Sequence, residues 1–292
     1  MADAPGHLLG QLIGGVLEIA TEPVLQSLCD AHELFLDKKG ARPGVRSGHL
    51  LSLLDNDGNK HDLDFVIERA TRDGRPGHYA AFIECAWRRF TKHSKAKAQE
   101  IQGAVLPLIG KWATVGPVPA AVIAGRWSRP SAKQLESFGF VVLQLDFTTT
   151  VDCFRSFGVD IEGPTDKADD KVPDAFWQVQ VEAFRKLNES EVADLAASLR
   201  NALKEDFDSF ATELENRVIR TVQIVIFHPV HGRTFEFETL EAAIRAIHGY
   251  DATESTHPLL RYEFEVRYTN NDVIKGSCST VESAEEFLRQ LM

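Results

Sequence analysis

Phe82-Ile83-Glu84-Cys85-Ala86-Trp87-Arg88-Arg89-Phe90-Thr91-Lys92-His93-Ser94-Lys95-Ala96-Lys97 is the stretch that decides how the N-terminal half of this chain is read. Its first six residues form the end of an apolar strand, in which an acid such as Glu84 is rarely buried without a partner. The ten residues from Arg88 to Lys97 then carry five cations and no acid. Twenty residues upstream, the strand His61-Asp62-Leu63-Asp64-Phe65-Val66-Ile67 holds Asp64, with Asp62 on the same strand face as the alternative. Two carboxylates on neighbouring strands beside a basic segment suit a divalent metal facing a phosphate backbone. That combination predicts a nuclease.

Working outward, residues 7–37 carry apolar residues at helical spacing, and Pro23 is expected to divide them into two helices that end at Lys38-Lys39-Gly40. Leu50–Leu54, the turn Asp55-Asn56-Asp57-Gly58-Asn59 and the Asp64 strand read as a hairpin. The loop Thr71–Gly77 leads to the Glu84 strand, which makes a three-strand meander. A helix is predicted from Ser94, as N-cap, to about Ile109. The strand Ala120–Ala124, a short helix Ser131–Phe138 and the strand Phe140–Phe147 complete an α/β order with a mixed sheet and a right-handed parallel crossover.

Residues 1–158 are thus expected to form an α/β domain, 159–173 an acidic linker and 174–218 a helical connector. The connector is predicted to break at Asn188-Glu189-Ser190-Glu191, a capping-box sequence. Residues 219–292 contain an internal repeat, in which Thr239-Leu240-Glu241-Ala242-Ala243 and Thr280-Val281-Glu282-Ser283-Ala284 each open a helix after two strands. A duplicated ββα unit sharing one four-stranded sheet is the consequence of that pattern.

The net charge of −11 argues against a nucleic-acid binder only until it is divided along the chain. Residues 1–158 hold 18 Lys+Arg against 17 Asp+Glu, whereas residues 159–292 hold 14 against 26. A local basic patch still attracts phosphate, because charges beyond a Debye length of ~8 Å are largely screened. No apolar run is read as reaching the ~18 residues of a membrane span, and no export signal is recognised. Four scattered cysteines without C-x-x-C spacing suggest a reduced, cytoplasmic protein lacking a structural zinc site.

The order of elements and the two acids resemble the PD-(D/E)XK nuclease superfamily, the restriction-endonuclease-like enzymes, over about residues 7–158. The resemblance implies that Asp64 and Glu84 bind Mg²⁺ or Mn²⁺ and that a lysine two residues after the Glu assists the attacking water. That position is Ala86 here. Lys97, expected to head the apolar stripe Ile101, Ala104, Val105 and Leu108 of the following helix, is the candidate replacement, with Glu100 one turn on as a further metal or water ligand. Arg88, Arg89, Lys92, His93 and Lys95 are expected to grip the DNA backbone. Family members also use an acid on an early helix, for which Glu33 is a candidate beside Asp30 and Asp37.

His228-Pro229-Val230-His231 lacks partners for a metal site, and Gly10, Gly14 and Gly15 follow no strand that would make a phosphate loop. Trp87 and Phe90 suit base stacking or core packing. The expected activity is Mg²⁺-dependent DNA hydrolysis in restriction or phage defence. The Ala86 departure keeps open a non-catalytic nucleic-acid-binding or sensing module. The C-terminal sheet is expected to serve homo-oligomer assembly or to bind a partner protein.

Overall fold

Helix α1 (Pro5–Ala31) is a single helix in the computed structural model, which describes residues 4–69, 71, 75–164, 172–229, 234–250 and 261–292. Pro23 lies inside it without breaking it. The carbonyl four residues back belongs to Ile19, whose side chain is exposed, so the group that Pro23 leaves unpaired falls on the solvent side. Leu9, Ile13, Val16, Leu17, Ala20, Leu25 and Leu28 form the buried face. By length and composition α1 could cross a membrane, unlike the reading of the sequence, but this face packs against a sheet.

Glu33 ends the helix in the left-handed region, at φ 54°. Strand β1 (Phe35–Lys38) follows it, in place of the C-terminal end of the expected second helix. Then come β2 (Leu51–Leu54) and β3 (Lys60–Leu63), a hairpin closed as predicted by the Asp55–Asn59 turn. The Asp55 carboxylate accepts the backbone N–H groups of Asp57 and Asn59 there.

The predicted meander differs in one respect. Asp64 divides its strand in two, so β3 stays with β2 in a separate two-stranded sheet while β4 (Phe65–Arg69) enters the main sheet. β5 (His78–Arg88), α2 (Ser94–Lys111), β6 (Val118–Gly125), α3 (Arg129–Ser137), β7 (Val141–Leu145) and α4 (Phe147–Ser156) complete the unit. The main sheet has the order β1-β4-β5-β6-β7, antiparallel from β1 to β5 and parallel from β5 to β7, so it is mixed as expected. Its strands alternate between two cores: Ile83 and Trp87 face the side of α1, whereas Phe82 and Ala86 face the side of α2. Ser94 starts α2 but does not cap it; its hydroxyl donates to the Thr91 carbonyl.

Residues 174–218 form three helices, α5 (Asp174–Arg185), α6 (Glu189–Ala202) and α7 (Lys204–Val218). The capping box at Asn188 and Glu191 is present. Trp177, Val181, Leu195, Leu199, Phe207 and Leu214 share the α1 core, so these helices are part of the first unit's packing and not only a connector.

The repeat folds as read. β8 (Val222–Pro229), β9 (Phe235–Phe237) and α8 (Leu240–His248) are followed by β10 (Tyr262–Tyr268), β11 (Val273–Cys278) and α9 (Val281–Gln290). The four strands form one antiparallel sheet in the order β11-β10-β8-β9, with Thr239 and Thr280 as the two N-caps. A Cβ at Gly276 would lie 2.5 Å from the Phe287 ring, so glycine is required where α9 meets the sheet. Arg220 anchors this sheet to the first unit, binding the Val115 and Gly116 carbonyls and pairing with Asp272 at 3.2 Å.

Candidate functional site

Strand register brings the chemistry together. Lys38 pairs with Phe65, and Phe65 pairs with Ile83. One residue beyond both ladders, Lys39, Asp64 and Glu84 stand side by side where β1 and β4 end, while β5 runs on in register with β6. α1 adds Glu18 from above. Lys39 Nζ lies 2.7 Å from Asp64 Oδ1 and 2.7 Å from Glu18 Oε1. Asp64 is buried, and its Oδ2 accepts the Cys85 backbone N–H at 2.7 Å.

Glu84 stands out because its Oε1 is buried and has no hydrogen-bond partner. Burial and the charge of Asp64 push its carboxyl well above the ordinary value, against the pull of Lys97 and Lys39. Burial and Asp64 also raise Glu18, with Lys39 opposing. Burial lowers the Lys39 ammonium, but the two carboxylates outweigh it and the net shift is upward. Three crowded acids with one lysine among them form a site short of positive charge.

The predicted residues divide. Asp64 and Glu84 are adjacent, as expected, whereas Asp62 turns outward to Ser52 and Lys60. The buried stripe of α2 is Ser94, Ala98, Ile101, Val105 and Leu108. Lys97 lies at its edge, half-buried, with Nζ 2.5 Å from Glu100 Oε1. Glu100 is 61% exposed in its side chain and also contacts Arg88 at 3.4 Å, so it joins two cations on the rim instead of joining the carboxylates. Lys92, His93 and Lys95 are exposed. Arg88 is fixed by close backbone approach, since a Cβ at Gly125 would stand 2.0 Å from its carbonyl oxygen.

Arg89 serves the fold. Its guanidinium lies over Phe90 at 4.2 Å and over Trp177 at 4.4 Å, and its Nε donates to the Glu162 carbonyl. Trp87 is core, stacked on Phe147. Glu33 is exposed in the turn after α1, and Asp37 is committed to Arg42 and Arg46. Residues 230 and 231 of the His228–His231 segment lie outside the described residues.

Sequence reasoning missed Glu18 and Lys39. Glu18 is visible in hindsight as a lone acid within Val16-Leu17-Glu18-Ile19-Ala20. Lys39 was hidden because residues 35–37 read as the end of a helix, which hides the strand register that places it.

A divalent ion fits this donor set in a limited way. Among the described residues, no three His, Cys, Asp or Glu side chains are arranged to hold a metal ion. Mg²⁺ commonly takes one or two carboxylates and completes its shell with water and substrate phosphate. Asp64 and the unpartnered Glu84 supply two such hard oxygen donors, with Glu18 next to them.

Glu18, Lys39, Lys97 and Glu100 line a cleft of about 680 Å³ together with residues 85–90 and the N-terminal half of α1. No protein-family model matches the sequence, and no curated protein does. One solved structure, a protein of unknown function designated AF1548, aligns with 69% of this chain and 99% of its own at 14% identity, with a TM-score of 0.28.

Proposed function

We propose that the chain is a Mg²⁺-dependent endonuclease of the PD-(D/E)XK type that hydrolyses DNA phosphodiester bonds, in restriction or phage defence. The observation that carries this reading is Glu84 Oε1, buried and unpartnered beside Asp64 in a cluster short of positive charge. Asp64 and Glu84 would hold the ion, which when bound supplies a polarised phosphoryl oxygen and an activated water. Lys39 and the Cys85 N–H orient the Asp64 carboxylate. Lys97 takes the part of the lysine absent at Ala86, and with Arg88 it offsets charge on the phosphate. Glu100 holds these two cations at the rim. Lys92, His93 and Lys95 meet the flanking backbone, and Arg89 stiffens the segment that carries them.

A second reading has its own support. Lys39 already pairs with both Asp64 and Glu18, which suits a nucleic-acid-binding module that needs no metal. In either case the C-terminal sheet is proposed to serve self-association or partner binding.

Cleavage of plasmid and single-stranded DNA in Mg²⁺ or Mn²⁺ separates the two. The nuclease reading expects cutting by the parent and losses of about 10²-fold or more in Glu84→Ala and Lys97→Ala at unchanged melting temperature. Undiminished cutting by Glu84→Ala defeats the site assignment. Binding without cleavage, with a log–log salt slope of about −3 to −4 for roughly four phosphates, selects the binding module.

A further inference from the structure

Gly6, Gly10 and Gly14 recur every four residues of α1 and so share one helix face, and that face forms a wall of the cleft. Glycine inside a helix is less favourable than alanine. At Gly10 and Gly14, apart from the adjoining residues and backbone of the helix itself, no protein atom lies within 4 Å of where a Cβ would stand, so packing against the rest of the chain gives no reason for glycine there. The opposite wall carries Arg88, half-buried Phe90, exposed His93 and Lys97. Glu18 and Lys39 also line the cleft, and they belong to the cluster in which the buried Glu84 Oε1 lacks a partner.

We infer that this cleft admits an unpaired nucleic-acid strand and not an intact duplex, an inference that rests on the nuclease reading for the identity of the ligand. Its volume falls in the ~300–1,000 Å³ range of sites that enclose most of a ligand. Trp177 and Ile161 close a further side. Glu18 and Lys39 line the cleft, and Lys39 also pairs with Asp64, so a phosphate that approaches this cluster through the cleft does so together with its own sugar and base. The Phe90 and His93 rings offer π-faces to that base, and the bare backbone at Gly10 and Gly14 lets it approach from the other side. Arg88 and Lys97 stand where the strand's phosphates pass.

The test is equilibrium binding in EDTA of a labelled single-stranded DNA oligonucleotide and of a hairpin-capped duplex of the same sequence. The parent is expected to bind the single strand about tenfold more tightly. Gly14→Leu and, one turn away, Gly10→Leu place side chains in the cleft at positions where the added Cβ has open space around it. Each is expected to cost about tenfold in single-strand affinity at a melting temperature no lower than the parent's. Equal affinity for the two DNAs, or parental single-strand binding by either variant folded like the parent, overturns the inference. Single-strand preference without cleavage in Mg²⁺ or Mn²⁺ sustains the cleft and defeats the nuclease reading. Duplex cleavage without that preference does the reverse.

Discussion

Two clusters of charge sit on the same strands, β1 and β4, and they are built on opposite principles. Asp37 and Glu68 face Arg42 and Arg46, with Arg42 bridging both acids at 2.8 Å and Arg46 gripping both Asp37 oxygens. Thr71 and the Gly77 N–H fill further sites on Glu68. Burial pushes Asp37 up, yet its two arginines hold it below the ordinary value. Two residues along β1 begins the other cluster, where Glu18, Asp64 and Glu84 share Lys39 and one buried oxygen has no partner. Satisfied buried charge fixes a fold; unsatisfied buried charge stores affinity for a cation. The first cluster also pins the loop after β1, and Lys39 starts that loop.

The two clusters should break differently. Arg42→Ala strands Glu68 as a buried acid without its cation and leaves Asp37 to Arg46 alone, and it is expected to lose about 3–5 kcal/mol, measured by urea unfolding. Glu84→Gln removes an unpartnered carboxylate and should leave the protein at least as stable at neutral pH, while cleavage falls by about 10² or more. Equal destabilisation by the two substitutions would erase the distinction.

Lys39→Ala sharpens the contrast. It leaves three acids facing one another, so the melting temperature should drop in EDTA and recover as Mg²⁺ is added, by about 2.7 kcal/mol when the free ion is 100-fold above its Kd. Arg42→Ala should show no such recovery.

Dependence on pH is set by the direction of the Glu84 shift. Its folded-state carboxyl is raised above the ordinary 4.5, so from that value upward the folded chain holds a proton that the unfolded chain has released. Stability from this group is therefore fully present below 4.5 and is lost as pH rises through the raised value. Glu84→Gln should flatten that limb of a thermal-denaturation series, whereas Arg42→Ala should not. The smallest effect belongs to the rim, where Lys95→Ala should reduce the log–log salt slope of DNA binding by about one, with little change in melting temperature.

Much of the architecture was legible because it rests on local signals. The Asp-Gly turn at Asp57-Gly58, the capping box at Asn188 and the repeated Thr N-caps each act within a few residues. Asp64 and Glu84 were legible as acids interrupting apolar strands. Glu18 and Lys39 were not, because their meaning depends on strand pairing and on which face of α1 meets the sheet. Pro23 misled for a related reason, since its cost depends on whether the orphaned carbonyl faces water. Arg89 looked like one of five equivalent cations until Trp177, far along the chain, came to lie against it.

Calorimetric titration of Mg²⁺ into the parent and into Glu84→Gln, at a series of pH values from 4.5 upward and in buffers of different ionisation enthalpy, tests the central claim most directly. A carboxyl with a raised value must give up its proton to become a ligand. The parent should therefore bind the ion with an apparent heat that changes with the buffer, and Glu84→Gln should show neither the binding nor the buffer dependence. Parental binding by Glu84→Gln, or no binding by the parent, would contradict the assignment of this cluster as a metal site.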